Sequence, residues 1–346
     1  MKQPKIVCTI GPASDEKETL RRLIKAGMNV ARLNFSHGSH KEHHRRIQVI
    51  RELNREKGPD AKILQDLEGY RIRIGEFDHK TPIDLKLGDI VKLVKGKGDR
   101  RAKKIPFDYD GPFTDIPVDE EIYIDDGQIL LYAVRSNSKS IKAKVIRGGI
   151  LKPRKGVNIP GIRLPMKGLS FKDEADLEFG VRENVDWIAQ SFVRTKRDVL
   201  ELRKRVPRSH RHIQVIAKIE NRQGLNNLDE ILPHVDGMMV ARGDLGVSVP
   251  IHRVPMMQKW IIRQCKKHRK FVITATQMLE SMTEHWRPTR AEVTDVANAV
   301  MDGSDYLMLS GETAAGKYPV LSVEMMHRII AYTQDAMKRP RRFFWK

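Results

Sequence analysis

The sequence predicts an α/β protein, a (β/α)8 barrel with a small all-β lid inserted after its third strand. Three observations predict it. Short β-rich runs alternate with amphipathic helical patterns at both ends of the chain, and repeated βα units force parallel pairing with right-handed crossovers. From about residue 71 to 165 the alternation gives way to short strands separated by turns. Setting that insertion aside leaves about 250 residues in eight strand-then-helix units, the usual size of such a barrel.

The elements follow in order. Residues 5–10 read as a strand and 14–26 as a helix. Residues 29–33 form the second strand, and a helix from 39 to about 57 opens with Ser39 and Glu42 at capping-box spacing. Residues 61–65 are the third strand. Within the insertion, 90–94, 121–124, 129–134 and 141–146 have strand-like spacing, and Asp126-Gly127 signals a hairpin. The alternation resumes with a helix near 170–183 and strands at 187–191, 214–219, 237–240, 271–275 and 306–309. A second capping box, Thr289 and Glu292, opens a helix over 289–301, and a last helix over 320–337 follows Pro319. The expected domains are therefore barrel over 1–70 and 166–337, lid over 71–165, and a basic, aromatic tail over 338–346. No Gly-rich dinucleotide fingerprint follows the first strand, which argues against an open doubly wound sheet.

The chain has 346 residues, 40% of them hydrophobic, with 64 Lys and Arg against 44 Asp and Glu, a net charge of +20. No apolar run approaches the roughly 18 residues that would span a bilayer, and no signal-peptide pattern opens the chain. Cys8 and Cys265 match no metal or redox spacing and read as free thiols, so cytoplasm is the expected compartment. The positive charge is spread along helices and loops without a zinc-finger, RNP or helix-turn-helix signature. Neither a nucleic acid nor a membrane is expected as partner, and the excess suits polyanionic metabolites.

Polar residues gather where the predicted strands end, the face that carries chemistry in this fold. Lys218 and Glu220 share one side of strand five, and Asp244 follows strand six. Two carboxylates on adjacent strands suit a hard cation such as Mg²⁺, and a lysine beside them can neutralise a phosphoryl group or an enolate. A salt bridge that only holds the rim accounts equally well for this trio. Arg32, Asn34 and Ser36 share a face at the end of strand two, where arginine's planar fork suits phosphate; a capped helix start is the competing reading. Asp66 ends strand three, with Arg71 and Arg73 just beyond, and Thr276 is the polar member at the end of strand seven.

Seven stretches together resemble pyruvate kinase: 5–14 (KIVCTIGPAS), 29–38 (NVARLNFSHG), 217–221 (AKIEN), 240–246 (VARGDLG), 274–282 (TATQMLESM), 287–300 (RPTRAEVTDVANAV) and 309–316 (LSGETAAG). The resemblance runs from residue 2 to about 335 and places the insertion where that family has its lid. It implies phosphoryl transfer from phosphoenolpyruvate to ADP, giving pyruvate and ATP. It implies that Glu220 and Asp244 bind Mg²⁺ or Mn²⁺, that Lys218 stabilises the transferring group and the enolate, and that Arg32 grips the substrate phosphate. The backbone at Gly243 and Asp244 would hold the carboxylate, and Thr276 would help protonate the methylene carbon. Asn34, Phe35, Ser36, His37, Arg73 and Thr195 would serve the nucleotide.

Three departures qualify the likeness. The family's potassium site resembles Asn34, Ser36, Asp66 and the carbonyl of Leu67. Potassium-dependent members follow that aspartate with Thr-Lys-Gly-Pro-Glu, whereas this chain reads Asp66-Leu67-Glu68-Gly69-Tyr70-Arg71. Arg71 thus puts a fixed cation where a glutamate would need a monovalent one, and no K⁺ requirement is expected. Thr195 stands where a nucleotide-contacting lysine is common, with Lys196 one place later. The chain also reads as a short form without the family's C-terminal regulatory domain, so no response to fructose bisphosphate is expected; a homo-oligomer through the barrel helices stays open. Two other readings remain: a metal-dependent 2-oxo acid lyase or aldolase on a related barrel, and a weakly active regulatory relative.

Overall fold

The computed structural model describes residues 3–56, 60–77, 82–99, 103–109, 111–160 and 169–338. The end of the second predicted helix near 57, the predicted lid boundary at 165 and residues 339–346 of the tail lie outside them. The chain divides into two compact units, one of Met1–Gly69, Gly168–Arg242 and Arg253–Lys346, the other of Tyr70–Lys167 with Gly243–His252.

The first unit is a closed barrel of eight parallel strands: β1 (Lys5–Thr9), β2 (Met28–Asn34), β3 (Lys62–Asp66), β13 (Trp187–Gln190), β14 (Gln214–Ile219), β15 (Gly237–Ala241), β16 (Phe271–Ala275) and β17 (Tyr306–Leu309), with β17 pairing back onto β1. Between them run α1 (Lys17–Ala26), α2 (His40–Arg55), α3 (Phe171–Arg182), α4 (Lys196–Arg205), the short α5 (Arg222–Asn226) and α6 (Leu228–Ile231), α7 (Arg242–Ser248), α8 (Val254–Lys267), α9 (Arg290–Met301), the single turn α10 (Gly311–Ala314) and α11 (Pro319–Lys338). Both predicted capping boxes form. Ser39 accepts from the Glu42 amide and Thr289 from the Glu292 amide, while each glutamate accepts in return from the cap backbone. No helix among the described residues is long and apolar enough to cross a membrane.

The barrel interior is filled by Val7, Val30, Leu64, Trp187, Ile216, Met239, Ile273 and Met308. Bulk is concentrated at the N-terminal ends of the strands, where β13, β16 and β17 open with aromatic residues. Trp187 stacks on Phe271 at 5.0 Å and meets Tyr306 edge-on at 5.0 Å. Room for this cluster comes from Gly237, the residue opposite Phe271 in the β15–β16 register; a Cβ there would lie 2.3 Å from the ring. The wide end of the barrel is left for polar side chains.

The second unit holds β4 (Arg73–Ile74), β5 (Ile83–Leu85), β6 (Ile90–Val94), β7 (Lys104–Asp108), β8 (Glu121–Ile124), β9 (Ile129–Ser136), β10 (Ser140–Arg147), β11 (Gly149–Leu151) and β12 (Val157–Asn158). Seven of these form one sheet in the order β12-β8-β9-β10-β6-β7-β4, and β11 pairs with β5. Alternation buries Val91, Leu93, Ile105, Phe107, Leu131, Ala133, Ile141, Ala143 and Val145 in a core of the unit's own. On the opposite face the register aligns Arg135 with Lys142, Lys142 with Lys92 and Lys92 with Lys104, four exposed cations across four neighbouring strands. None of the four pairs with an acid among the described residues.

Replacing Gly237 with alanine should force the Phe271 ring out of its place and lower stability by about 1–3 kcal/mol, the usual cost of overpacking. Urea unfolding checks this, with an unchanged slope expected.

Candidate active site

Four ionisable side chains stand in a line of alternating sign at the C-terminal ends of β2, β3 and β14. Arg32 Nε donates to Asp66 Oδ2 at 2.6 Å. Asp66 Oδ1 lies 3.0 Å from Lys218 Nζ, which lies 3.1 Å from Glu220 Oε1. Each side chain is at most 10% exposed. Buried charges persist only when paired and hydrogen-bonded, and every one here has further partners. Arg32 Nη1 donates to Thr9 Oγ1 at 2.9 Å, and Lys218 donates to Ser191 Oγ at 2.7 Å. The Ser191 hydroxyl donates in turn to the Leu67 carbonyl at 2.6 Å, and the Phe192 amide donates to Glu220 Oε2 at 2.6 Å.

Burial alone would raise the Asp66 pKa, but Lys218 and Arg32 outweigh it and hold the carboxyl below its ordinary value of 3.8. Burial likewise works against the Lys218 ammonium, yet Asp66 and Glu220 carry it above its ordinary 10.5. Asp66 and Lys218 are therefore both held in their charged forms, with Arg32 on one side of the pair and Glu220 on the other.

The chain leaves β2 through Asn34, Phe35, Ser36, His37 and Gly38. Asn34 Oδ1 accepts from the Ser36 amide at 3.2 Å, and the Phe35 amide donates to the Asp66 carbonyl at 2.9 Å. Gly38 closes the turn at a φ of 78°, where a side chain would be strained. Thr195 caps α4, its amide and hydroxyl both directed at Asp198, at 3.0 and 3.4 Å.

Thr276 lies just past β16 in an unusual backbone. It and Gln277 have φ of 77° and 55°, consecutive non-glycine residues in the left-handed region, at about 1–3 kcal/mol each. Arg242 offsets that strain. Its guanidinium donates to the carbonyls of Ala275 (3.2 Å), Thr276 (2.6 Å) and Gln277 (3.4 Å), and is itself held by Asp295 at 2.8 Å. The buried Glu312 carboxylate fixes the far side of the turn by accepting from the Leu279 amide at 3.0 Å. Backbone strain thus marks Thr276 independently of its residue type.

The remaining predicted residues belong to the second unit. Arg71 Nη2 lies 3.2 Å from Asp244 Oδ1 and 3.1 Å from Asp126. Gly156 lets the guanidinium lie against the backbone, since a Cβ there would be 2.6 Å from Arg71 Nε. Arg73 donates to the Arg154 carbonyl at 3.2 Å and, with Lys95 and Arg154, lines a recess of about 600 Å³.

Among the described residues no group of three or more His, Cys, Asp or Glu could enclose a metal by itself. A site of one or two carboxylates completed by water and substrate oxygens is the arrangement Mg²⁺ favours. The residues fit such an ion: Asp244 Oδ1 is buried and meets Arg71 only as an ion pair, with no hydrogen bond of good geometry, so the carboxylate keeps acceptor capacity for a cation.

The eight-stranded parallel barrel, with a buried line of alternating charges where its strands end, defines a (β/α)8-barrel protein with a preorganised charged rim. The family model described as pyruvate kinase, barrel domain, matches residues 1–323, and the chain belongs to the pyruvate kinase family. It is 49% identical to the pyruvate kinase of Geobacillus stearothermophilus over 340 residues, 97% of this chain and 58% of that one. It is 47% identical to those of Staphylococcus aureus (strain MRSA252) and Bacillus licheniformis, again over 97% of this chain and 58% of theirs. The chain thus spans less than two thirds of the length of these relatives. The lyase alternative gains no support from them.

Some of the site was missed in the sequence. The resemblance places Asp66 only in a monovalent-ion set, yet it is the carboxylate that joins Arg32 to Lys218. Sequence alone assigns no role in the site to Ser191 or Arg242. The signal for Arg242 was its place directly after a barrel strand, beside Gly243 and Asp244.

Asp66→Asn should leave two buried cations short of their partner and lower stability by about 3–5 kcal/mol. The depressed Asp66 carboxyl contributes stability above its unfolded pKa, lost as pH falls through the lower folded value. The raised Lys218 ammonium contributes below its unfolded pKa, lost as pH rises through the higher folded one. Denaturation followed against pH should show no contribution of Asp66 or Lys218 to any slope between about pH 5 and pH 9, and loss of their contributions only outside that window.

Proposed function

We propose that this chain catalyses phosphoryl transfer from phosphoenolpyruvate to ADP, giving pyruvate and ATP. The observation that carries the reading is the buried Arg32–Asp66–Lys218–Glu220 line at the barrel rim. Phosphoryl transfer asks the protein for positioning and charge neutralisation rather than covalent chemistry, and this line offers both without rearrangement.

In this reading Arg32 takes the substrate phosphate with the guanidinium face that Asp66 leaves open. Lys218, kept protonated by two carboxylates, lies against the bridging oxygen and stabilises first the transferring group and then the enolate. The amides at Gly243 and Asp244 hold the substrate carboxylate. Thr276, fixed by the Arg242 clamp, directs a proton to the methylene carbon as pyruvate forms. Arg73 draws in the phosphates of ADP, with the turn from Asn34 to His37 and Thr195 completing the nucleotide site. Glu220 and Asp244 would hold Mg²⁺ or Mn²⁺; when bound, the ion withdraws charge from substrate oxygens. The β-rich unit, carrying Arg71 and Arg73, is read as the lid that excludes water. The cytoplasm, where these metabolites occur, is the compartment we assign.

Arg71 further suggests that no K⁺ is needed. A guanidinium held by Asp244 and Asp126 is a permanent positive charge beside the carboxylate assigned to the metal, and it cannot dissociate or deprotonate.

Purified protein should form pyruvate from phosphoenolpyruvate and ADP with Mg²⁺ in K⁺-free buffer and lose that activity on chelation. No turnover with either K⁺ or Na⁺ would refute the assignment. Added K⁺ should change the rate less than about twofold relative to Na⁺, whereas Arg71→Glu should lose about tenfold or more and recover with K⁺, one lost charge interaction being worth about 1.4 kcal/mol or more. A large stimulation of the unaltered protein by K⁺ over Na⁺ would refute the built-in cation.

A further inference from the structure

The turn over residues 35–37 is held from behind by side chains that lie outside every motif discussed above. Lys172, in the first turn of α3, donates to the Phe35 carbonyl at 2.5 Å. Its ammonium is held in place by Asp176 one turn later, at 2.6 Å, and stands 3.6 Å from Glu68. Asp176 is itself 5% exposed and also meets His40 Nε2 at 2.6 Å, so α2 and α3 share one carboxylate. On the other side of the turn, His43 Nε2 lies 2.9 Å from the His37 carbonyl while its ring stacks on Phe35, centroids 4.1 Å apart. Burial pushes the His43 pKa down to about 4. The imidazole is therefore neutral at physiological pH, and the contact to a carbonyl fixes the proton on Nε2.

The carbonyls of Phe35 and His37 are thus each engaged by a side-chain donor, one from α3 and one from α2. The amides of Phe35, Ser36 and His37 are already engaged, donating to the Asp66 carbonyl at 2.9 Å, to Asn34 Oδ1 at 3.2 Å and to the Asn34 carbonyl at 3.2 Å, so what the turn can offer phosphate oxygens is the Ser36 hydroxyl and the His37 ring, with the two carbonyls kept from competing. Without Lys172 and His43 the same residues could rotate those carbonyls forward, where they would repel an anion.

We propose that Lys172 and His43 are positioning residues for the nucleotide: they tie back the two carbonyls and so present the turn from Asn34 to His37 to the phosphates of ADP. This rests on the nucleotide assignment of that turn made above. Neither side chain touches the reacting atoms, so the effect falls on ADP rather than on phosphoenolpyruvate, whose phosphate is met by Arg32.

The test compares the unaltered protein with Lys172→Met, Lys172→Arg and His43→Phe. Lys172→Met keeps length without a donor, Lys172→Arg restores one, and His43→Phe keeps the ring against Phe35 without its N–H. Each is measured for ADP binding by calorimetry and for KM of both substrates, with thermal unfolding to confirm the fold. Lys172→Met should weaken ADP binding and raise its KM by about tenfold, the equivalent of one charge-assisted hydrogen bond. The KM for phosphoenolpyruvate should move less than about twofold, Lys172→Arg should recover most of the loss, and His43→Phe should show a smaller loss of the same kind. Unchanged ADP binding in folded Lys172→Met, or equal losses for both substrates, would overturn the proposal while leaving the nucleotide assignment standing. An unaltered protein that binds phosphoenolpyruvate but no ADP would overturn the assignment, and the proposal with it.

Discussion

Asp66 is the residue on which the barrel rim depends. It is fully buried and ends a strand flanked by β2 and β13. Its two oxygens face opposite ways, one to Arg32 and one to Lys218. Without it two buried cations would have only Glu220 to balance them; with it, each is paired and held in place. The desolvation of four charges costs stability that a hydrophobic rim would not lose, and the return is electrostatic preorganisation. Backbone contacts follow the same residue, since the Phe35 amide donates to the Asp66 carbonyl and so joins the turn from Asn34 to His37 to the charged line.

A second form of preorganisation uses the backbone. At Thr276 and Gln277 two residues sit where L-amino acids rarely do, and a single arginine grips the carbonyls on either side. The aromatic cluster at the narrow end of the barrel makes this feasible: rigid packing around Trp187, Phe271 and Tyr306 fixes the strands whose far ends carry the chemistry. Charge pairing, strain and packing act on the same strands from opposite ends.

Much of the barrel was legible in the sequence because period and punctuation agreed. All eight barrel strands end within a residue of the boundaries that alternation predicts, and the capping boxes at Ser39 and Thr289 mark helix starts by hydrogen-bonding logic alone. The β-rich unit was read less fully. β4, β5, β7, β11 and β12 were not anticipated, because strands of two to five residues around Pro106 and several glycines carry too little periodicity to show. In the site, Lys218 with Glu220 and the region of Arg32 stood out as charged residues where strands end. What sequence could not convey is which charges meet. Asp66 and Lys218 are far apart in the chain, and only barrel closure makes them partners. The contacts of Lys172 and His43 with carbonyls are invisible for the same reason, since a backbone acceptor leaves no residue type to recognise.

The four aligned cations of the β-rich sheet bear on assembly. A two-fold dimer places identical patches against each other, so a surface bearing Arg135, Lys142, Lys92 and Lys104 in a row would meet its own charge. Sheets that stack or pair edge to edge are a common route to aggregation, and like charges placed across neighbouring strands oppose it. In a chain carrying +20 this row makes one sheet face self-repelling, which steers any self-association to other surfaces and keeps the unit dispersed at high concentration.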